Sequence, residues 1–162
     1  MGWTDALTKQ MEGAHLAAAR LIGMAEGESL DWKPENDDNW MTLGQLIRHL
    51  DDSCGVMFKG FVSGEWDFAE GLPSVESIAE GKTRLEADRL LAIEALEGLT
   101  DNDLGSRMVK APWGQTEQPL GLHLSQMVSH LDSHKCQLFY YLKLLGKPVN
   151  TATLWGMSDS ES

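Results

Sequence analysis

The sequence predicts an all-α protein, a four-helix bundle with long connections, and two observations carry this prediction. Four segments of roughly 20 residues each place apolar side chains at the 3.6-residue period of an amphipathic helix. Connections of about 10 to 20 residues, rich in polar and turn-favouring residues, separate these segments. Connections of that length are typical of chains that cover one end of a bundle, where a pocket can form. The four predicted helices span residues 3–25, 42–63, 75–97 and 121–146.

The first predicted helix carries an apolar stripe with one histidine at its edge. The stripe consists of Trp3, Leu7, Met11, Ala14, Ala18, Leu21 and Ile22. His15 lies beside it, and we interpret this histidine as a boundary residue. Glu12 and His15 form a Glu-x-x-His motif, but a di-iron bundle needs a second copy of the motif and further glutamates. The sequence has no second copy, which excludes that kind of site.

The second predicted helix begins at a capping box. Thr42 has the side chain of an N-cap residue, and Gln45, three positions later, can reach back to it. An apolar seam then runs from Leu43 to Phe61 at helical spacing. These features predict one continuous helix over residues 42–63.

The third predicted helix covers residues 75–97, with Ser74 as its N-cap. Arg89 projects toward its apolar face, and we expect the long side chain to reach a carboxylate at the surface. The alternative is a contact between Arg89 and an anion in a pocket. The chain after this helix is irregular, and residues 108–116 predict a short β-hairpin that turns near Gly114.

The last predicted helix, Gly121 to Gly146, holds a pair of histidines one turn apart. His130 and His134 are separated by four residues, so they lie on the same face of the helix. Their stripe runs beside the apolar seam, at the edge of the buried surface. Two histidines at this spacing can hold a divalent metal ion. They can equally be hydrogen-bonded residues of a core, so a third ligand is needed to favour the metal.

His49 is the candidate for that third ligand. It lies just outside the apolar seam of the second helix, as His130 and His134 do on the last helix. If the two helices pack side by side, the three imidazoles converge on one point. The sequence therefore predicts a metal site made by His49, His130 and His134.

Five further side chains are candidates for the pocket around this site. Gln137 and Tyr141 continue the histidine stripe, and they can orient a ligand or simply pack with a hydrogen bond to a neighbour. His123 precedes His130 by seven residues, about 10.5 Å along the axis, which is too far to share an ion but suits a pocket mouth. Ser53 accompanies His49 on the second helix. Arg89 is the fifth candidate, through the alternative given above.

Composition excludes several classes of function. The 162 residues carry a formal net charge of −12, and such a surface repels phosphate backbones, so we expect no nucleic-acid partner. The sequence has no apolar run of membrane-spanning length and no secretory signal, so we expect a soluble, cytoplasmic protein. The two cysteines, Cys54 and Cys136, are interpreted as free thiols rather than a disulfide.

The chain length fits one domain with a sizeable core. We assign residues 1–150 to the bundle and residues 151–162 to a C-terminal tail whose polar, acidic end is expected to be mobile. Tryptophans are expected to fasten the polar segments to the bundle. Trp32 and Trp40 bracket the loop before the second helix, and Trp155 lies in the tail.

Three stretches resemble the DinB-like superfamily of four-helix bundles, the damage-inducible helical family. They are LDWKP at 30–34, TLGQLIRHL at 42–50 and HLDSHKCQLFYYLKLLGKPV at 130–149. The most specific part is the order of one histidine at the end of the second helix and His-x-x-x-His-x-x-Gln on the last. The resemblance extends over most of the chain.

This resemblance implies that His49, His130 and His134 form the family's metal triad. Members of the family are similar in binding a divalent ion, often zinc or nickel, and in forming homodimers. Characterised relatives include thiol-dependent transferases and a maleylpyruvate isomerase that uses a low-molecular-weight thiol. The resemblance thus implies a small-molecule substrate, but it identifies neither the thiol nor the reaction.

Three imidazole ligands leave at least one coordination position open, which is typical of a catalytic zinc site. An ion there can ionise a bound thiol or lower the pKa of water to about 7. The hydrolytic use requires a general base. Leu131 occupies the position that glutamate has in His-Glu-x-x-His, and Asp132 lies far around the helix from the histidines. The missing base favours thiol chemistry.

The leading hypothesis is therefore a metal-dependent thiol S-transferase or thiol-dependent isomerase that acts on a small electrophile. One alternative is a non-catalytic, dimeric metal-binding protein related to stress. A metal-dependent hydrolase is another, and a bundle whose histidines only pack is a third. The sequence leaves open whether the protein is an enzyme.

Overall fold

A computed structural model describes residues 1–35 and 38–157 of the chain. In that part it contains helices and one small antiparallel sheet. The helices are α1 (Trp3–Met24), α2 (Leu43–Leu50), α3 (Gly55–Ser63), α4 (Ile78–Leu96), α5 (Asp101–Ser106), α6 (Leu120–Leu144) and α7 (Thr151–Leu154). The strands are β1 (Met108–Lys110) and β2 (Glu117–Pro119), which pair with Val109 opposite Gln118.

The predicted four-helix bundle is confirmed. α1 packs against α4 and α6, α3 packs against α4, and α2 packs against α6. The apolar stripes of these helices meet in one buried cluster, because each helix must remove its apolar face from water. Leu21, Leu46, Leu124 and Leu138 are among its fully buried members. The contact between α2 and α6 is the one that matters for the histidines.

The prediction of one continuous second helix is wrong. α2 ends at Leu50 and α3 begins at Gly55, so a break at residues 51–54 divides the predicted element. Within the break, the Ser53 hydroxyl donates to the His49 carbonyl at 2.5 Å, a side-chain bond that competes with the helical ladder. Cys54 leaves helical geometry, with φ −126° and ψ −65°. The seam of apolar residues continues across the break, which is why the periodicity did not reveal it.

Contacts with α4 fix the start of α3. The Val56 amide donates to Asp88 Oδ1 at 3.0 Å, so a carboxylate from another helix satisfies one of the free amides at this end. Gly55 lies so close to the Asp88 backbone carbonyl that a Cβ atom there would overlap it. His15 contacts the second oxygen of Asp88 at 3.0 Å and is itself buried, not a boundary residue as predicted.

Two smaller boundary predictions also need correction. The N-cap of the third long helix is Ser77 rather than Ser74, because the Ser77 hydroxyl accepts from the Glu80 amide at 3.0 Å. The hairpin is present, but its second strand lies at Glu117–Pro119, beyond the predicted range 108–116. The capping box of Thr42 and Gln45 is confirmed, with both reciprocal hydrogen bonds formed.

The segments predicted to be fastened by tryptophan do contact the bundle. Trp32 and Trp40 both pack on the ring of Tyr141, at centroid distances of 5.4 and 6.3 Å. α7 packs on α1, and the Lys135 ammonium lies 5.5 Å from the ring of Trp155, which is otherwise exposed. The tail's predicted mobile end, from residue 158, lies outside the described residues. None of the helices in the described ranges is long and apolar enough to cross a membrane.

Candidate metal centre

Two packed helices bring the three predicted histidines together. His49 lies in the last turn of α2, and His130 and His134 lie one turn apart near the middle of α6. α2 and α6 are in direct contact, so the face of α2 that carries His49 is turned toward the pair on α6. All three side chains are half-buried. In the described part of the chain they form the one group of three or more candidate ligands close enough to share an ion.

The three Nε2 atoms form a small triangle. The distances are 3.3 Å between His49 and His130, 3.1 Å between His49 and His134, and 3.0 Å between His130 and His134. Nitrogens bound at about 2.0–2.1 Å to one ion are about 3.3 Å apart in a tetrahedral site and about 2.9 Å apart in an octahedral one. The triangle therefore matches one face of either polyhedron. It fits a divalent metal without selecting which one.

Burial favours the neutral, metal-binding form of His49 and His130. Burial, together with the neighbouring charges of His134 and His130, lowers the pKa of His49 to about 4. Burial and His134 also lower the pKa of His130. Neutral imidazole has a free nitrogen lone pair, whereas imidazolium has none. The neutral rings of His49 and His130 can direct lone pairs into the space between the three Nε2 atoms.

A chain of hydrogen bonds sets the tautomer of His134. The Tyr141 hydroxyl donates to the Met41 carbonyl at 2.9 Å, because a carbonyl can only accept. The same hydroxyl oxygen accepts from Gln137 Nε2 at 3.3 Å, which turns Oε1 of the amide toward His134. His134 Nδ1 lies 3.1 Å from that oxygen and must carry the proton. In the neutral ring, this placement of the proton on Nδ1 leaves Nε2 of His134 as the free nitrogen that a metal ligand requires.

His130 lacks an equivalent partner. Its Nδ1 atom is buried and makes no well-formed hydrogen bond to any residue that the structure describes. The Ser53 backbone raises the pKa of His130, but burial lowers it by more. The break between α2 and α3 therefore places the Ser53 backbone near His130. It does not give His130 Nδ1 a hydrogen bond like the one that supports His134.

A cavity of about 200 Å³ opens beside His49 and His130. One wall comes from α2, α3 and the turn between them, and the other from the segment that follows α3. The described residues that line it are Gln45, Arg48, His49, Asp52, Val56, Met57, Asp67, Phe68, Ala69, Gly71, Leu72, Pro73 and His130. An aromatic cluster supports the second wall. Phe68 stacks on Trp66 at 5.5 Å, and Trp66 in turn meets Phe61 of α3 edge-on at 4.9 Å.

The predicted pocket residues have other positions. Gln137 and Tyr141 lie behind His134 and orient it, rather than lining the cavity. His123 is buried, stacks on Phe61 at 4.4 Å and donates to the Val109 carbonyl, so it ties the hairpin to the bundle. Ser53 is buried in the break, where its hydroxyl bonds the His49 carbonyl.

The expected carboxylate contact of Arg89 is present. Its guanidinium donates to Glu86 at 2.7 and 2.8 Å and lies 3.5 Å from Glu12. Arg89 lines a different cavity, between α1 and α4. The structure therefore places it apart from the three histidines.

Sequence reasoning missed the charged residues of the cavity. Arg48 and Asp52 both line it, and Arg48 Nη1 hydrogen-bonds Asp52. Their spacing of four residues beside His49 was a usable signal, because such a pair lies on one helical face. No comparable signal marks Asp67 or Phe68, which reach the cavity from a segment without regular structure.

Comparisons with known proteins agree with this architecture. A sequence model described as the DinB superfamily matches residues 10–138. A DinB-like protein from Bacillus cereus has a similar structure, with a TM-score of 0.73 and 18% identity over 90% of this chain and 95% of that one. A DinB-like protein from Bacillus subtilis has a TM-score of 0.69 and 17% identity, over 89% and 94% of the two chains.

At such identities the two structures establish a shared fold. No curated protein matches the sequence significantly. The sequence model, in contrast, covers most of the chain, including most of α1, the break, α4, the hairpin and all three histidines. The chain therefore belongs to the DinB superfamily.

Proposed function

We propose that the protein is a metal-dependent enzyme that transfers a small thiol to an electrophile, or uses the thiol to isomerise it. The observation that supports this most directly is the triangle of Nε2 atoms at the edge of a cavity. A divalent ion held there, zinc or nickel being the best candidates, would supply a Lewis acid that favours the ionised form of a thiol.

The residues of the chain contribute binding and positioning. His49, His130 and His134 would hold the ion, and Gln137 fixes the ring of His134 from behind. The cavity admits a small molecule against apolar side chains such as Met57 and Phe68. In a transfer reaction the thiol loses its proton to solvent and its sulfur forms a bond to carbon. The leaving group departs from that carbon with the bonding electron pair.

One observation favours a second candidate, a metal-dependent hydrolase. Asp52 and Asp67 line the cavity, so carboxylates are available near the histidines although Leu131 replaces the glutamate of the zincin motif. Asp52 is engaged by Arg48, which leaves Asp67 as the candidate base. We rank this function below thiol transfer because Asp67 belongs to an exposed connection rather than to a helix.

A single experiment tests the proposed function. Protein produced without a histidine tag is loaded with zinc or nickel, and bound metal is measured by mass spectrometry. Consumption of a thiol panel is then followed with 1-chloro-2,4-dinitrobenzene as electrophile, beside ester and amide substrates. Loss of both metal and thiol consumption is expected in His49→Ala and His134→Ala. His123→Gln is the matched control, because it removes a histidine outside the triangle and keeps a side-chain donor.

Metal retention at wild-type stoichiometry in His49→Ala would exclude the three-histidine site. A loaded protein that consumes no thiol but hydrolyses an ester would favour the second candidate. Metal binding without either activity would favour a binding protein.

A further inference from the structure

The cavity beside the histidines is lined by a cationic side chain, Arg48, that is not one of the candidate metal ligands. Arg48 precedes His49 in the last turn of α2, and both residues line the cavity. Among the described lining residues, Arg48 is the one lysine or arginine. Its side chain is 14% exposed, so its guanidinium is largely removed from bulk water. In such surroundings a charge-assisted hydrogen bond is stronger than at the open surface.

Asp52 holds Arg48 in place without using up its donors. Arg48 Nη1 donates to Asp52 Oδ2, one turn later on the chain. The other oxygen, Asp52 Oδ1, lies 3.7 Å from Arg84 Nη2 on α4. Asp52 is therefore shared between two arginines and does not by itself neutralise both. A guanidinium has five N–H donors in a fixed fork, so Arg48 keeps free donors for a carboxylate.

The remaining walls define the size and character of the ligand. Met57, Phe68, Leu72 and Pro73 give them apolar surface. The cavity has a volume of about 200 Å³, which admits a ligand with a short carbon chain. Such a ligand can place one end at the histidines and the other at Arg48.

We propose that Arg48 determines specificity in this cavity, and that the thiol which enters it carries a carboxylate. The sulfur faces the histidine triangle, the carboxylate pairs with the free donors of Arg48, and the carbon chain packs on the apolar walls. The thiol part of this inference rests on the proposed function, whereas the carboxylate part does not. Arg48 is accordingly a binding residue, and its substitution changes affinity rather than metal content.

The test compares ligands of one shape and different charge. 3-Mercaptopropionate, 3-mercaptopropionamide and 3-mercaptopropylamine are titrated into cobalt-loaded protein, and thiol binding is followed by absorption. Propionate and propionamide are measured in parallel by calorimetry. We expect 3-mercaptopropionate to bind at least tenfold more tightly than the amide, because a charge-assisted pair replaces a neutral contact. We expect Arg48→Gln to abolish this preference and to retain the metal.

Arg20→Gln is the matched control, because it removes one positive charge from an exposed position on α1. It is expected to keep the full preference. Equal affinities of the acid and the amide in the unmodified protein would overturn the inference. Survival of the preference in Arg48→Gln would overturn it as well, since the carboxylate would then bind elsewhere.

The propionate measurements separate this inference from the proposed function. If no thiol binds but propionate binds in an Arg48-dependent manner, thiol transfer fails and the carboxylate subsite stands. If all three thiols bind equally and propionate does not bind, the subsite fails and thiol transfer stands.

Discussion

At the scale of single residues, the site depends on side chains that never touch the metal position. Gln137 accepts from Nδ1 of His134, and Tyr141 holds the Gln137 amide in the orientation that this requires. Tyr141 is in turn fixed by the Met41 carbonyl and by contacts with the rings of Trp32 and Trp40. The connection before α2 therefore supports a histidine on α6.

Replacing Gln137 is expected to weaken metal binding without unfolding the bundle. In Gln137→Leu, His134 loses its acceptor, so both its tautomer and its ring orientation are no longer fixed. Loss of such a support typically lowers metal affinity by about 10- to 100-fold. Competition with a chelator of known affinity measures the change.

Tyr140→Phe is the control for that variant, since the Tyr140 side chain is exposed on the same helix. It is expected to bind metal as the unmodified protein does. Wild-type affinity in Gln137→Leu would show that the hydrogen-bonded chain does not position His134.

At the scale of elements, the break between α2 and α3 is the decisive feature. It ends α2 one residue after His49 and lets α3 start against α4. Both ring nitrogens of His15 face acceptors, the Met11 carbonyl at 2.9 Å and Asp88 at 3.0 Å. The side chains of His15 and Asp88 are both buried. Through Asp88, this buried pair joins α1, α4 and the first turn of α3.

Substitution of Gly55 is expected to destabilise the protein. In Gly55→Ala the new methyl group meets the Asp88 carbonyl, and backbone cannot move aside as a flexible side chain does. Overpacking of this kind costs about 1–3 kcal/mol of unfolding free energy. Denaturation in urea, monitored by circular dichroism, measures the loss.

Gly13 in α1 provides the opposite case. A Cβ atom there meets nothing within 4 Å. Gly13→Ala is thus expected to stabilise the protein by about 0.5–1 kcal/mol through helix propensity alone. Equal effects of the two substitutions would contradict the close approach of α3 to α4.

At the scale of the whole molecule, one carboxylate joins the start of α1 to the start of α5. Asp101, the first residue of α5, accepts from the backbone amides of Trp3 and Thr4 at 3.0 and 2.8 Å. It therefore occupies the positive N-terminal end of α1. Hydrogen bonds from the Thr4 backbone, the Trp3 backbone and the Thr4 side chain lower the pKa of Asp101.

This shift predicts a pH-dependent contribution to stability. A carboxyl group whose pKa is lower in the folded state stabilises the fold above its unfolded pKa of about 3.9, and the contribution disappears as the pH falls through the folded value. Asp101→Asn is therefore expected to lower the melting temperature at pH 7. The difference from the unmodified protein should shrink progressively below about pH 4.

Calorimetry of both proteins between pH 7 and acid pH measures this difference. Glu70→Gln removes one negative charge from an exposed connection and controls for the change in net charge, which is −12 in the unmodified chain. A difference that stays constant into the acid range would show that Asp101 acts through packing rather than through its charge.

The sequence by itself determined the fold class, the long helices and the three histidines. Apolar periodicity reports which face of a helix is buried, and that information is local. His130 and His134 share a face by spacing alone, and His49 has the same relation to its own seam. The order of these residues also identified the family before any geometry was known.

Only the tertiary structure decided the break at residues 51–54, since α3 begins where a carboxylate and a carbonyl of Asp88 on α4 meet it. Only packing distinguished the roles of Gln137 and His123, because one stripe of a helix can face a ligand, a neighbour or another loop. The cavity also depends on the connection after α3, whose sequence has neither helical nor strand periodicity. Spacing along a chain fixes which side chains point the same way, and the fold decides what they meet there.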